Sequence, residues 1–124
     1  MEFLDGELLY AMRVISHGAF NLCPSETCNP EGGSLQCEVP ESAPAAPVEF
    51  HPYRGVPAAA VEAGKRLMAE GGLDVGGIEY LEASGGRLVF YDINANSNLR
   101  EPIARAFGFD PFERVVDFLV SRIG

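Results

Sequence analysis

The chain has 124 residues, of which 47% are hydrophobic, and this size suits one compact domain with a modest core. Its 18 acidic and nine basic residues argue against a nucleic-acid partner, because phosphate contacts need clustered lysines and arginines. No apolar run approaches the ~20 residues of a membrane span, and no basic stretch followed by an apolar one begins the chain. We therefore expect a soluble cytoplasmic protein that does not bind a membrane.

Three cysteines lie close together in the sequence, at Cys23, Cys28 and Cys37. An odd number of cysteines in a chain without an export signal predicts free thiols. Two alternatives stay open: a local bridge between Cys23 and Cys28, and a zinc site completed by His17 or His51. The zinc alternative lacks the paired C-x2-C spacing of common zinc modules.

The first 25 residues contain turn signals at Asp5-Gly6 and at residues 16–18, which predict an antiparallel meander. The middle strand is predicted to have two apolar faces. One face carries Leu8, Tyr10, Met12 and Val14, and the other carries Leu9, Ala11, Arg13 and Ile15. Arg13 is thus a lone cation on a mostly apolar face, where it either reaches water at a strand end or pairs with a structural acid.

A change of composition separates this meander from the next element. Residues 29–47 are rich in Pro, Gly, Ser and Ala and show no period, which predicts a surface loop within the single domain. Pro57 then marks a helix start and Gly71-Gly72 its end, so we expect a helix over residues 57–70. Its apolar stripe comprises Ala60, Val61, Ala63, Gly64, Leu67 and Met68.

The stretch 76–98 predicts a β-hairpin that carries acidic and amide side chains. Within it, two β-rich runs flank a Ser-Gly-Gly turn signal. If Gly85 and Gly86 form a two-residue loop, Glu79 lies directly opposite Asp92.

Two carboxylates and an amide then collect at one end of this hairpin. Asp92 and Asn94 share a face, and directly opposed Cβ atoms lie ~4.5–5.5 Å apart, where the charges of Glu79 and Asp92 repel. A cation bound by all three side chains would relieve this repulsion, and oxygen-only ligands suit Mg²⁺ or Mn²⁺. The alternative is a strand that simply runs into an Asn-rich turn, since Asn and Asp satisfy turn backbone.

Two helix signals follow the hairpin. Glu101-Pro102 begins a short helical turn that ends at Gly108, and Asp110-Pro111 predicts an N-cap followed by proline at the first helical position. The second helix has an apolar stripe and is predicted to pack on the sheet. The stripe comprises Phe112, Val115, Val116, Leu119 and Ile123. Together the elements predict an α+β fold, with an antiparallel sheet packed by two main helices.

The acid-bearing strand, glycine turn and strand ending Asp92-x-Asn94 resemble the metal-binding end of the ATP-grasp enzymes. In that family an acid on the penultimate strand and a Glu-x-Asn on the last strand hold Mg²⁺ ions that bridge the ATP phosphates. This chain has Glu79 and Asp92-x-Asn94 instead, so a methylene gained on one strand is lost on the other. The resemblance covers residues 2–24 and 56–123, and the chain looks like the C-terminal ATP-grasp subdomain alone, beginning at or after the hinge.

The resemblance implies Mg²⁺ or Mn²⁺ and ATP as cofactors. The implied metal ligands are Glu79, Asp92 and Asn94. The segment Leu9 to Arg13 resembles the family hairpin that carries an arginine toward the transferred phosphate, so Arg13 is implied as the catalytic group. Asn21 is a further implied contact in that neighbourhood, and Arg100 is an implied contact for a substrate carboxylate.

The implied function is the metal and γ-phosphate half of a carboxylate–amine or peptide ligase that acts through an acyl-phosphate, incomplete as this chain. Its partners would be ATP and a carboxylate substrate. The alternative is a non-catalytic module that kept the fold and binds a protein partner or forms a homodimer. A dimer would cover apolar residues near the open side of the sheet, and the candidates are Leu9, Ala11, Leu88 and Phe90.

Overall fold

The computed structural model describes residues 1–16 and 48–123. The chain divides into two compact units, Met1–Arg13 with His51–Gly124, and Val14–Phe50. Several sequence-based predictions lie outside the described residues: the three cysteines, His17, Asn21 and the loop 29–47. The candidate site considered below belongs to the first unit.

In chain order the strands are β1 (Glu2–Leu4), β2 (Glu7–Tyr10), β3 (Met12–Ile15), β4 (Glu49–Pro52), β5 (Val75–Glu82) and β6 (Leu88–Asn94). The helices are α1 (Ala58–Glu70), α2 (Glu101–Arg105) and α3 (Pro111–Ile123). Four strands form an antiparallel sheet in the order β2-β1-β5-β6, while β3 and β4 form a second sheet of two strands. An α+β fold with an antiparallel sheet is therefore confirmed.

The turn between β1 and β2 is the predicted Asp5-Gly6 turn. Both residues have positive φ, 52° at Asp5 and 76° at Gly6, which is the conformation of a tight hairpin turn. Glycine adopts it without strain, and aspartate tolerates it better than most residues. The turn fixes how β2 lies along β1.

The prediction that Leu8 and Tyr10 share a face of the middle strand is wrong. Leu9 is an extra residue in β2, so Leu8 pairs with Phe3 whereas Tyr10 pairs with Glu2. Neighbouring residues of β1 project to opposite faces, and Leu8 and Tyr10 therefore do so as well.

The middle strand also ends earlier than predicted. β2 stops at Tyr10, and the chain continues in β3 as part of the other sheet. Ala11, at the break, is buried, and its carbonyl accepts a hydrogen bond from the backbone N–H of Tyr53 at 2.9 Å. This bond gives the carbonyl a partner outside the four-stranded sheet.

One face of the four-stranded sheet packs on α1. Phe3 and Ile78 project from β1 and β5 into a cluster with Ala60 and Met68, and all four side chains are fully buried. The buried residues of α1 include Gly64, so the predicted helix and its apolar stripe are confirmed. This layer is the hydrophobic core of the first unit.

The chain after β6 covers part of the opposite face. The ring of Tyr10 lies 6.2 Å from the ring of Phe107 and 6.1 Å from that of Phe109. As predicted, Asp110 caps α3: its carboxylate accepts the backbone N–H of Phe112 at 2.8 Å. The ring contacts place the segment between α2 and α3 beside Tyr10 of β2.

The apolar stripe of α3 does not pack as predicted. Phe112, Val116, Leu119 and Ile123 are exposed, and of the five predicted stripe residues only Val115 is half-buried. Helical periodicity shows that such residues share a face, but it does not show which neighbour covers that face. The other side of α3 contributes Arg114, Asp117, Phe118 and Ser121 to a shallow hollow of about 350 Å³ over the β1–β2 hairpin.

Candidate cation site

The predicted pairing of two carboxylates across the β5–β6 hairpin is confirmed. Glu79 lies directly opposite Asp92, and Gly77 lies directly opposite Asn94. Residues two apart in a strand share a face, so Glu79, Asp92 and Asn94 project to the same side of the sheet. We call these three residues the acidic face.

The hairpin reaches this register by a different route from the predicted one. The predicted two-residue loop is wrong, because Ser84–Gly86 form a short 3-10 turn closed by the bond from Ala83 N–H to Arg87 O at 2.8 Å. Near the turn, Tyr80 consequently pairs with Phe90.

A bulge then restores the pairing. The ladder passes from Tyr80 opposite Phe90 to Glu79 opposite Asp92, so Tyr91 is one extra residue in β6. The longer turn and the bulge shift the register by one residue in opposite senses. Their effects cancel, and the two carboxylates stay opposed.

Tyr91 also contacts the acidic face directly. Its hydroxyl donates a hydrogen bond to Oε2 of Glu79 at 2.7 Å. Burial and this hydrogen bond to Glu79 raise the pKa of Tyr91, so the hydroxyl remains a donor at neutral pH. Glu79 and Asp92 are exposed, and within residues 1–16 and 48–123 neither forms an ion pair.

Asn94 has a local structural role. Its side-chain oxygen accepts the backbone N–H of Asn96 at 3.0 Å, which forms the Asx turn that ends β6. The simpler reading, a strand that runs into an Asn-rich turn, therefore describes this residue correctly. An amide oxygen has two lone pairs, so the same atom can still bind a cation.

A third carboxylate, which sequence reasoning missed, lies beside the acidic face. Glu2 pairs with Gly77, so its side chain projects to the same side of the sheet, and it is only 6% exposed. A Cβ at position 77 would lie 3.2 Å from Oε2 of Glu2. The glycine thus leaves the space that the carboxylate fills. The pairing of β1 with β5 joins distant parts of the sequence, and no local pattern indicates it.

The environment of Glu2 favours its neutral form. Burial raises the pKa of this carboxyl, and the nearby Glu79 charge raises it further. The hydrogen bond from Ser97, the amino group of Met1 and the Arg100 guanidinium oppose the rise without cancelling it. A buried carboxyl with a raised pKa is a common feature of functional sites, although structural networks show it too.

Glu2 and its partner Tyr10 hold the loop after β6 at two points. The Ser97 hydroxyl donates to Oε2 of Glu2, and the backbone N–H of Arg100 donates to the Tyr10 hydroxyl at 2.7 Å. Arg100, the predicted contact for a substrate carboxylate, is thereby placed next to Glu2 on the side of the sheet that carries the acidic face.

Arg13 is not brought to the acidic face. Its guanidinium lies 4.7 Å from the centre of the Tyr53 ring, and the Tyr53 hydroxyl donates to Glu82 at 2.9 Å. Glu82 is three residues from Glu79 along β5, a distance of about 10 Å at the usual rise of a strand. Among the described residues, Arg13 therefore belongs to an aromatic cluster at the other end of the strand.

No group of three or more His, Cys, Asp or Glu side chains is arranged to hold a metal ion within the described part of the chain. The predicted set contains two carboxylates and one amide, so it is not a group of this kind, and the strand register brings its members to one side of the sheet.

Comparison with protein-family models, curated proteins and solved structures finds no match to this chain. What the fold and the acidic face define is an α+β protein with a carboxylate pair on an antiparallel hairpin. The resemblance to the ATP-grasp enzymes stays a prediction. Of the helices that the structure describes, none has the length and apolar character needed to span a bilayer.

Proposed function

We propose that the acidic face binds one divalent cation, Mg²⁺ or Mn²⁺, and through it the phosphates of ATP. One observation carries the proposal: the bulge at Tyr91 keeps Glu79 directly opposite Asp92. Two like charges directly opposed on neighbouring strands are destabilising, and a bound cation would convert their repulsion into attraction.

The donor set suits a hard cation. The carboxylates of Glu79 and Asp92 and the amide oxygen of Asn94 are all oxygen ligands, which Mg²⁺ and Mn²⁺ prefer. Mg²⁺ usually keeps several waters and takes only one or two carboxylates together with substrate phosphates. An exposed pair of carboxylates leaves room for those phosphate oxygens.

The reaction class that follows is that of an ATP-dependent carboxylate–amine or peptide ligase, in which the substrate carboxylate takes the γ-phosphate and an amine then displaces it. The cation would neutralise charge on the transferred phosphate. Arg100 is the side chain that we assign to the substrate carboxylate, since the Tyr10 and Ser97 contacts hold its loop beside the acidic face. We assign Arg13 no role there, because its guanidinium lies over Tyr53.

We do not expect the chain alone to turn over ATP. Lys65 is its one lysine, and its Nζ is paired with Glu7 at 2.6 Å. Groups that hold the adenine and the α- and β-phosphates would have to come from elsewhere, and positioning of reactants can contribute ~7–11 kcal/mol of a barrier.

The test is the melting temperature of the protein in millimolar Mg²⁺ or Mn²⁺. A cation that binds only the folded state raises it, so the wild type should show an increase that Glu79→Gln and Asp92→Asn lose. Asp74→Asn is the matched control, because it removes an exposed carboxylate just before β5. Equal responses in the wild type and in Asp92→Asn would rule out the site.

ATP supplies a second stage of the same test. With the cation present, ATP should raise the melting temperature of the wild type further and leave that of Asp92→Asn unchanged. If the cation responds as expected and ATP adds nothing, the cation site stands while the ligase proposal fails.

A second candidate function, a non-catalytic module that binds a protein partner or forms a homodimer, is favoured by a different observation. The face of α3 that carries Phe112, Val116, Leu119 and Ile123 is exposed. Apolar patches of this kind on soluble proteins commonly mark interaction sites. The candidates predicted near the open side of the sheet are less exposed, since Ala11 is buried and Leu9, Leu88 and Phe90 are half-buried.

A further inference from the structure

We propose that two copies of this chain pair through α3, with the two helices parallel and related by a two-fold axis that runs along them. The pairing surface is the dimer stripe, which comprises Phe112, Val116, Leu119, Val120 and Ile123. The pairing develops the second candidate function and does not depend on the cation site.

The large apolar side chains of the dimer stripe are all exposed. The exposed fraction is 52% at Phe112, 56% at Val116, 50% at Leu119, 63% at Val120 and 86% at Ile123. α3 turns its opposite side toward the β1–β2 hairpin, where Phe118 and Ser121 line the hollow. The dimer stripe consequently lies on the side of α3 that faces away from the hollow.

The spacing of the stripe favours a second helix of the same kind. Phe112, Val116, Leu119 and Ile123 are separated by four, three and four residues, which is the heptad spacing of a two-helix seam. In heptad terms Val116 and Ile123 occupy a positions, whereas Phe112 and Leu119 occupy d positions. In parallel coiled coils, β-branched residues at a with leucine at d favour two strands, and here leucine occupies one of the two d positions.

The residues beside the seam select the parallel arrangement. With Val116 at a, Val115 occupies a g position and Val120 an e position. In a parallel pair the g residue of one helix meets the e residue five places later on its partner, so Val115 lies against Val120. An antiparallel pair instead places Glu113 against Val120 and Arg122 against Val115. The first of these contacts sets the carboxylate of Glu113 on an apolar side chain. Among the described residues Glu113 forms no ion pair, and desolvation of an unpaired charge is costly.

The charge of Arg122 is already compensated within its own molecule. Its guanidinium pairs with Asp5 in the β1–β2 turn at 2.6 Å. This ion pair also joins the last turn of α3 to the hairpin. Two helices that are each held by their own fold lose less conformational freedom on pairing than free peptides would.

The area available limits the strength of the dimer. α3 has 13 residues, and a helix of that length is about 20 Å long. One helix pair of this size stays near or below the ~1,200 Å² at which standard interfaces begin. We therefore expect a weak dimer whose population depends on concentration in the micromolar range and above.

Sedimentation of the wild type and of Val116→Glu tests the pairing. Sedimentation should show a concentration-dependent dimer for the wild type and a monomer for Val116→Glu. Ser121→Glu adds the same charge on the opposite side of α3 and should leave the dimer intact. A monomeric wild type at millimolar concentration, or a Val116→Glu variant that still dimerises, would overturn the proposal. Circular dichroism confirms folding of each variant, and Val116→Glu should keep any cation response of the wild type.

Cysteine cross-linking tests the orientation independently of stability. In a background in which Cys23, Cys28 and Cys37 are changed to Ser, Val116→Cys should form a disulfide between two copies, because identical a positions meet in a parallel pair. An antiparallel pair would instead cross-link only a mixture of Val116→Cys and Leu119→Cys. That result, or the absence of any cross-link, would contradict the parallel dimer.

Discussion

The ring of Phe3 packs directly against the backbone of Gly64 in the middle of α1. A Cβ at position 64 would overlap Cζ of this ring and lie 3.0 Å from Cε2. Alanine at that position would gain about 1 kcal/mol of helix propensity over glycine, but overpacking of a core costs roughly 1–3 kcal/mol. We expect Gly64→Ala to lower the free energy of unfolding by about 1 kcal/mol, measured by denaturant titration.

Two variants check the origin of that loss. Phe3→Leu shortens the side chain that meets position 64, so Gly64→Ala should cost less in a Phe3→Leu background than in the wild type. Glu62→Ala changes an exposed residue of the same helix and should have little effect. A Gly64→Ala variant as stable as the wild type would show that α1 does not approach β1 so closely.

The buried hydroxyl of Tyr10 supports the loop that carries Arg100. Tyr10 is 2% exposed, and its oxygen accepts the backbone N–H of Arg100 at 2.7 Å. Tyr10→Phe would leave that N–H without its acceptor, which costs ~1–3 kcal/mol when the donor is buried. Chemical denaturation should show a loss in this range. In the control Tyr53→Phe, an exposed bond to Glu82 is removed and water can replace it, so the loss should be smaller.

The buried carboxyl of Glu2 makes stability depend on pH. Its pKa is raised in the folded state by burial, so its contribution to stability is fully present below the ordinary pKa of 4.5 and is lost as pH rises through the folded-state pKa. Glutamine keeps an oxygen for the bond from Ser97 and cannot ionise. The melting temperature of Glu2→Gln relative to the wild type should therefore increase from about pH 4 to neutral pH.

The control for this pH dependence is Glu62→Gln, which removes a carboxylate from the exposed face of α1. A difference in melting temperature between Glu2→Gln and the wild type that does not change with pH would contradict the assignment. An identical trend for both variants would attribute it to net charge instead of to burial.

Local patterns predict those parts of the fold that depend on nearby residues. Pro57 and Gly71 bound α1 closely, Asp5-Gly6 forms its turn, and Asp110 caps α3. Each of these signals acts within about four residues, because capping and turn chemistry involve the adjacent backbone. Such elements need no knowledge of the remaining chain.

The position of Glu2 could not be predicted in this way. It reaches the acidic face only because β1 pairs with β5, 75 residues away, and because Gly77 leaves space for its carboxylate. No periodicity within β1 indicates which strand will be its neighbour. The predicted packing of the α3 stripe on the sheet is wrong for a related reason, since a stripe of apolar residues does not identify what covers it.

The pairing of Glu79 with Asp92 was predicted correctly through two errors that cancel. A two-residue loop gives the observed register directly, whereas the actual turn is longer and the bulge at Tyr91 compensates for it. A bulge has no clear local signature in the sequence LVFYDIN, because Tyr is a common strand residue. The acidic face therefore depends on a residue that the prediction treated as part of a regular strand.

The hydroxyl of Tyr91 orients the carboxylate of Glu79 by a hydrogen bond of 2.7 Å. This bond uses Oε2 and leaves the other oxygen for a cation. Hydrogen bonds that orient metal ligands typically account for 10–100-fold in metal affinity, so Tyr91→Phe should weaken Mg²⁺ or Mn²⁺ binding by about tenfold. Tyr91 is 43% exposed, and the stability of the protein without added cation should change little.

Cation titrations followed by melting temperature, for the wild type and for Tyr91→Phe, measure this effect. Tyr53→Phe is the matched control, since its hydroxyl binds Glu82 instead of Glu79 and its response should equal that of the wild type. If the Tyr91 hydroxyl competed with the cation for Glu79, its removal would strengthen binding. Tighter binding by Tyr91→Phe would therefore contradict the orienting role, whereas an unchanged affinity would place the cation away from Glu79.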